Sequence, residues 1–209
     1  KITVLPNGQS HGLVMFLDWS GSMVNHIANT TKQLLNLTMF CKKTNIPFEV
    51  YSFIDGTNYE YMYKQEPKHG DLYMSQFGLI NLLSSRMSSK DFTYCASALM
   101  RMSGVYDYSS YPRMPSFMYM SGTPLNEAVI AAMEIVPEFQ KRNRLQIVNT
   151  VFLTDGEGSN NLQIINTSGY AQHDRFTHMV IRDPKTHDEQ VYERHSNSTK
   201  QTDALIRLL

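Results

Sequence analysis

The segment Asp18-Trp-Ser20-Gly-Ser22 places a carboxylate and two hydroxyls at every second position. Alternate side chains of an extended chain point the same way, so these three oxygens can converge on one point. Gly21, between the serines, lets the backbone turn tightly after the motif. Far downstream, Ser121-Gly-Thr123-Pro124 offers another hydroxyl, and Thr154-Asp155-Gly156 a second carboxylate. Two carboxylates and three hydroxyls form an oxygen-only donor set. Such a set suits a hard divalent cation, Mg²⁺, Mn²⁺ or Ca²⁺, whereas zinc prefers nitrogen or sulfur. Each residue also has a plain structural use: Ser22 and Thr123 are favoured caps for a following helix, and Asp155-Gly156 is an ordinary strand-end turn.

The elements that must position these residues are written in the hydrophobic runs. Residues 13–18 (Leu-Val-Met-Phe-Leu-Asp) form a short apolar run ending on a carboxylate, the pattern of a strand buried on both faces of a parallel sheet. Residues 23–43 predict a helix carrying Ile27, Leu34, Leu35, Leu37, Met39 and Phe40, with Lys42 and Lys43 at its C-terminal end. Residues 48–54 predict a second strand closed by Asp55-Gly56, which completes a right-handed βαβ unit. A helix over 124–142, with Pro124 at its first position, then leads to a buried strand over 147–154. Asp183-Pro184-Lys185 predicts a turn between strands at 177–182 and 190–194, hence a β-hairpin near 178–194. Residues 202–209 read as a helix cut short.

Stretch 57–122 differs in character, holding 9 of the 12 tyrosines and 8 of the 13 methionines. Its clearest element is a helix near 90–102, and the rest reads as long loops. It is expected to be an insertion that packs onto the sheet or offers an adaptable binding surface. The alternation of strands and helices predicts one α/β domain over 1–209, Rossmann-like and three-layered, with a mostly parallel sheet flanked by helices. Sheets of this kind gather ligands beyond the carboxyl ends of their strands, where Asp18 and Asp155 stand.

Composition narrows the function classes. The chain has 209 residues, 42% of them hydrophobic, enough for a single full core. Lys plus Arg and Asp plus Glu both number 19, so no basic excess marks a nucleic-acid surface. No apolar run approaches the roughly 18 residues needed to span a bilayer. Cys41 and Cys95 make no disulfide framework, and both fall in predicted helices, which points to buried thiols in a reducing compartment.

Asp18-Trp-Ser-Gly-Ser22 resembles the Asp-X-Ser-X-Ser motif of the metal-ion-dependent adhesion site of von Willebrand factor A domains. Ser121-Gly-Thr123-Pro-Leu-Asn-Glu-Ala128 is similar to that family's second loop, where a threonine supplies the next ligand. Val151-Phe-Leu-Thr-Asp155-Gly156 resembles the third loop, whose aspartate closes the site. The three loops occur in order and span nearly the whole chain. The resemblance implies a divalent cation, Mg²⁺ or in its place Mn²⁺ or Ca²⁺, on Asp18, Ser20, Ser22, Thr123 and Asp155. It also implies an open coordination position that a Glu or Asp of a protein partner completes, with no catalysis. Relative to the family, segment 57–122 is long, the hairpin is additional, and the closing strand and helix are expected to be missing or incomplete after Leu209.

Within the family, residues 13–54 look closest to intracellular chelatase-subunit-like A domains of bacteria and tailed bacteriophages, in the manner of cobaltochelatase subunits. That likeness implies a cytoplasmic protein of a bacterial or phage-infected cell, working beside a MoxR-type AAA+ ATPase. Four residues are placed at the rim of the site. Trp19 either anchors a partner or packs over the site, His26 lies one turn into the first helix, and Glu127 and Glu157 stand beside ligand positions. Two other classes share features with this reading. An extracellular adhesin or integrin-like domain would carry the same metal site. A Mg²⁺-dependent aspartyl-phosphate phosphatase would also start from Asp18, but it needs an acid where Ser20 stands and a Lys or His near the loops.

Overall fold

A computed structural model of the protein describes residues 11–56, 68–74, 77–104, 115, 118–156, 158, 162–172, 178–193 and 197–209. In chain order these residues form β1 (His11–Asp18), α1 (Ile27–Lys43), β2 (Phe48–Ile54), β3 (Leu72–Met74), β4 (Gly78–Ser84), α2 (Ser89–Gly104) and α3 (Leu125–Asn143). They continue as β5 (Ile147–Leu153), β6 (Leu162–Ile165), β7 (Ala171–Gln172), β8 (His178–Arg182), β9 (Glu189–Glu193) and α4 (Asn197–Leu208).

The uninterrupted apolar run of β1 has a structural cause. The strand lies inside a four-stranded sheet ordered β4-β2-β1-β5, parallel to both β2 and β5. Helices cover both faces, so Val14, Met15, Phe16 and Leu17 are all fully buried. Side chains alternate across the strand. Met15 and Leu17 pack into a cluster with Ile27 and Leu34 of α1 and Phe92 and Leu99 of α2. Val14 and Phe16 pack on the other face, with Ala128, Ala132 and Phe139 of α3. Helix, sheet and helix make the three layers of a mixed α/β fold with a mostly parallel centre.

Stretch 57–122 is not the single helix among loops expected from the sequence. Its residues Gly78–Ser84 form β4, an antiparallel edge strand of the central sheet beside β2, and α2 packs against α1 in the main core. The run Gly-Leu-Ile-Asn-Leu-Leu-Ser has no polar alternation to announce a strand. Its burial of Ile80, Leu82 and Leu83 against the helices, seen only once the chain has folded, decides the matter. Residues 57–67 and most of 103–118 lie outside the described residues.

Elsewhere the differences are small. The first helix is broken: Ser22–Asn25 is a 3-10 turn, and α1 proper starts after His26. Pro124 takes the position just before α3 rather than the first inside it. The hairpin β8–β9 forms as predicted, with Val180 opposite Val191, while β3, β6 and β7 make a small antiparallel sheet that the sequence did not announce. The last helix starts at Asn197, five residues earlier than expected. It is tied to α3 through Thr202, whose hydroxyl donates to Asn126 Oδ1 (2.5 Å). Cys41 is buried, Cys95 is half-buried, and both are free thiols. No helix among the described residues is long and apolar enough to cross a membrane.

Candidate metal centre

The parallel pairing of β2, β1 and β5 brings three carboxylates to one edge of the sheet. Asp18 is the last residue of β1, Asp55 follows β2, and Asp155 lies two residues beyond β5. The chain leaves β1 through Trp19 and Ser20 and turns at Gly21. There the Gly21 amide donates to the Ser121 carbonyl (2.9 Å), and Ser20 and Ser121 form an isolated parallel bridge. The threonine loop is thus fastened to the serine motif by backbone, with Thr123, almost fully buried, two residues beyond the bridge.

A chain of oxygens crosses this edge. Ser22 Oγ donates to Asp155 Oδ1 (2.9 Å) and stands 3.0 Å from Ser20 Oγ. Asp18 is fully buried, its Oδ2 accepts from Thr154 Oγ1 (2.7 Å), and its Oδ1 has no hydrogen-bond partner. Burial pushes the Asp18 carboxyl above its ordinary range; the Thr154 hydroxyl and the polar groups of Ser20 oppose that, and the charge of Asp155 adds to it. Among the described residues, the charged side chain that acts on Asp18, Asp155, repels it.

Ser22 is not spent on capping: no side-chain hydrogen bond caps the 3-10 turn that it begins, and its hydroxyl points at Asp155 instead.

A buried carboxylate with an orphaned oxygen, facing a second carboxylate across two hydroxyls, is short of positive charge. A divalent cation on Asp18, Ser20, Ser22, Thr123 and Asp155 fits that deficit and the oxygen-only chemistry of the set. The fit depends on hydroxyls: among the described residues, no group of three or more His, Cys, Asp or Glu side chains is placed to hold a metal.

The rim residues fare differently. Trp19 is fully buried in the cluster beneath α1 and α2, and its indole N–H donates to the Met118 carbonyl (2.9 Å), so it is a core residue and no anchor for a partner. Glu127 is no surface carboxylate either. It is fully buried in the first turn of α3, and neither carboxylate oxygen has a hydrogen-bond partner. Burial, the largest cause, pushes it up to about 7, its own backbone N–H opposes the rise, and the charge of Asp55 adds to it. His26 is exposed at the joint between the 3-10 turn and α1, and Glu157 lies outside the described residues.

Two residues join the site that sequence reasoning passed over. Thr154 holds Asp18 in place. Asp55 Oδ2 accepts from Ser121 Oγ and from the Gly122 amide, both at 3.2 Å, and so moors the threonine loop. The signal for Asp55 was present, since it directly follows a parallel strand, as Asp18 closes one. No protein-family model, curated protein or solved structure matches this chain.

Proposed function

We propose that the protein is a metal-dependent protein-binding module of the von Willebrand factor A type, with a divalent cation held by Asp18, Ser20, Ser22, Thr123 and Asp155. The observation that carries the reading is the hydrogen-bonded line of oxygens from Asp155 through Ser22 to Ser20, beside a buried Asp18 that has an orphaned oxygen. A Mg²⁺ ion held by these five residues would supply the positive charge to which a Glu or Asp of a partner could bind. The chain's own residues do the rest. Asp18 and Asp155 bring negative charge, Thr154 orients Asp18, and Asp55 keeps the threonine loop against the serine motif.

The partner in this reading is a MoxR-type AAA+ ATPase or another component of a chelatase-like assembly in the bacterial or phage-infected cytoplasm. That assignment rests on the likeness of residues 13–54 and 121–156 alone. Thermal unfolding with and without millimolar Mg²⁺, Mn²⁺ or Ca²⁺ tests the metal. Wild type should melt higher with the ion, because binding to the native state stabilises by mass action, and Asp18→Ala should show no such response. Partner capture should fail in EDTA and weaken in Thr123→Ala, whose fold should be intact. A wild type indifferent to all three ions would sink the reading.

A further inference from the structure

The charge-neutral chain carries one strongly biased face. Helix α1 contains Lys32, Lys42 and Lys43 and no acid at all. Helix α2 contains Lys90, Arg101 and a single acid, Asp91. Asp91 is engaged by its own helix start, since the Ser88 hydroxyl donates to its Oδ2 (2.7 Å). Five cations against one carboxylate leave the pair four charges positive, although the whole chain sums to zero.

Between these two helices runs an open apolar groove of about 760 Å³. Its floor is built from side chains four residues apart, Leu35 and Met39 on α1 and Phe92, Ala96 and Met100 on α2, which therefore line up along the helix axes. Met39 is 45% exposed and no described element covers it. The basic residues continue the α1 row at both ends. Lys32 precedes Leu35 by three positions, and Lys42 and Lys43 follow Met39 by three and four. Arg101 closes the α2 side. Lys42 is partly committed, lying 4.5 Å over the Phe92 ring, while Lys32, Lys43 and Arg101 are exposed.

We propose that this α1–α2 groove is a docking site for an acidic amphipathic helix of a protein partner. Phe92 and Met100 stand eight positions apart, about 12 Å along the helix, which is two turns of a docked helix with anchors at i, i+3 or i+4, and i+7. Methionine and leucine supply an adaptable apolar floor, and the basic rim selects Glu or Asp on the flanks of the incoming helix and speeds its encounter. A nucleic acid would use the cations but gain nothing from the floor. The groove includes none of the five candidate metal ligands, so docking here is independent of the metal reading and should be indifferent to EDTA.

A fluorescent helical peptide of about 18 residues, with Leu and Met at i, i+3, i+4 and i+7 and Glu on its flanks, tests the proposal by anisotropy against the whole chain. Its scrambled form and a form with Lys replacing Glu serve as controls. The Glu peptide should bind in EDTA as well as in Mg²⁺, tighter than both controls. Met39→Glu should weaken it at least about tenfold, and Lys32→Glu with Lys43→Glu should weaken it and flatten its salt dependence. Met39 and both lysines are exposed, so the variants should keep the wild-type melting temperature. Any of four results overturns the proposal: no binding of the Glu peptide, equal binding of the scrambled form, binding unchanged by Met39→Glu, or a preference for vesicles containing phosphatidylserine over the peptide. Dimerisation of the wild type that Met39→Glu abolishes would show that a second copy fills the groove, and would overturn it too.

Discussion

Glu127 offers a quantitative test of how this sheet edge is built. Its carboxyl is fully buried, makes no hydrogen bond from either oxygen and rises from 4.5 to about 7. At about 1.4 kcal/mol per pH unit, that interval amounts to something on the order of 3 kcal/mol. The sign follows from proton counting. Between pH 4.5 and about 7 the native state holds a proton that the unfolded state has released, so raising the pH through this window favours unfolding. The stability tied to Glu127 is therefore highest below about pH 4.5, falls up to about 7 and is flat above. Glu127→Gln removes the titration and keeps the volume. Urea unfolding of both proteins in EDTA, at several pH values from 4.5 to 8, should give curves that diverge with rising pH. The wild type should lose on the order of 3 kcal/mol more than the variant across the window. Asp18 is raised as well, but it titrates in both proteins and cancels in the difference. Parallel curves would refute the burial argument for Glu127.

Two further outcomes are expected. Gly12→Ala should destabilise by roughly 1–3 kcal/mol in urea unfolding, because a Cβ there would stand 2.4 Å from Leu145 Cδ1 and 2.8 Å from Phe139 Cε1; an unchanged midpoint would show that α3 is not packed this closely on β1. A generic phosphatase and esterase screen should give background turnover only, since the acid that a phosphatase carries two residues after its nucleophile is Ser20 here. Turnover that Asp18→Asn abolishes and Thr123→Ala leaves intact would instead indicate an enzyme.

Local patterns were enough for the parallel strands, the helices between them and the hairpin. Val14 to Leu17 cannot be soluble except between two neighbours and two helix layers, and an apolar strand ending in Asp points its carboxylate out of such a sheet. The candidate donors Asp18, Ser20, Ser22, Thr123 and Asp155 were legible for the same reason, since chemistry and spacing are both local. Strand β4 was not, because Gly78–Ser84 lacks the polar alternation that marks an edge strand, and only contact with β2 and the helices selects its conformation. Nor could the sequence tell which polar or aromatic side chains turn inward. Trp19 in a loop motif and Glu127 in a helix's first turn look like rim residues, yet both are fully buried. Both also answer to segments far away in the chain: Trp19 donates to the Met118 carbonyl, and the charge of the strand-end Asp55 raises the Glu127 carboxyl. Side-chain direction at a loop is set by whatever packs against it, and that is a property of the tertiary structure alone.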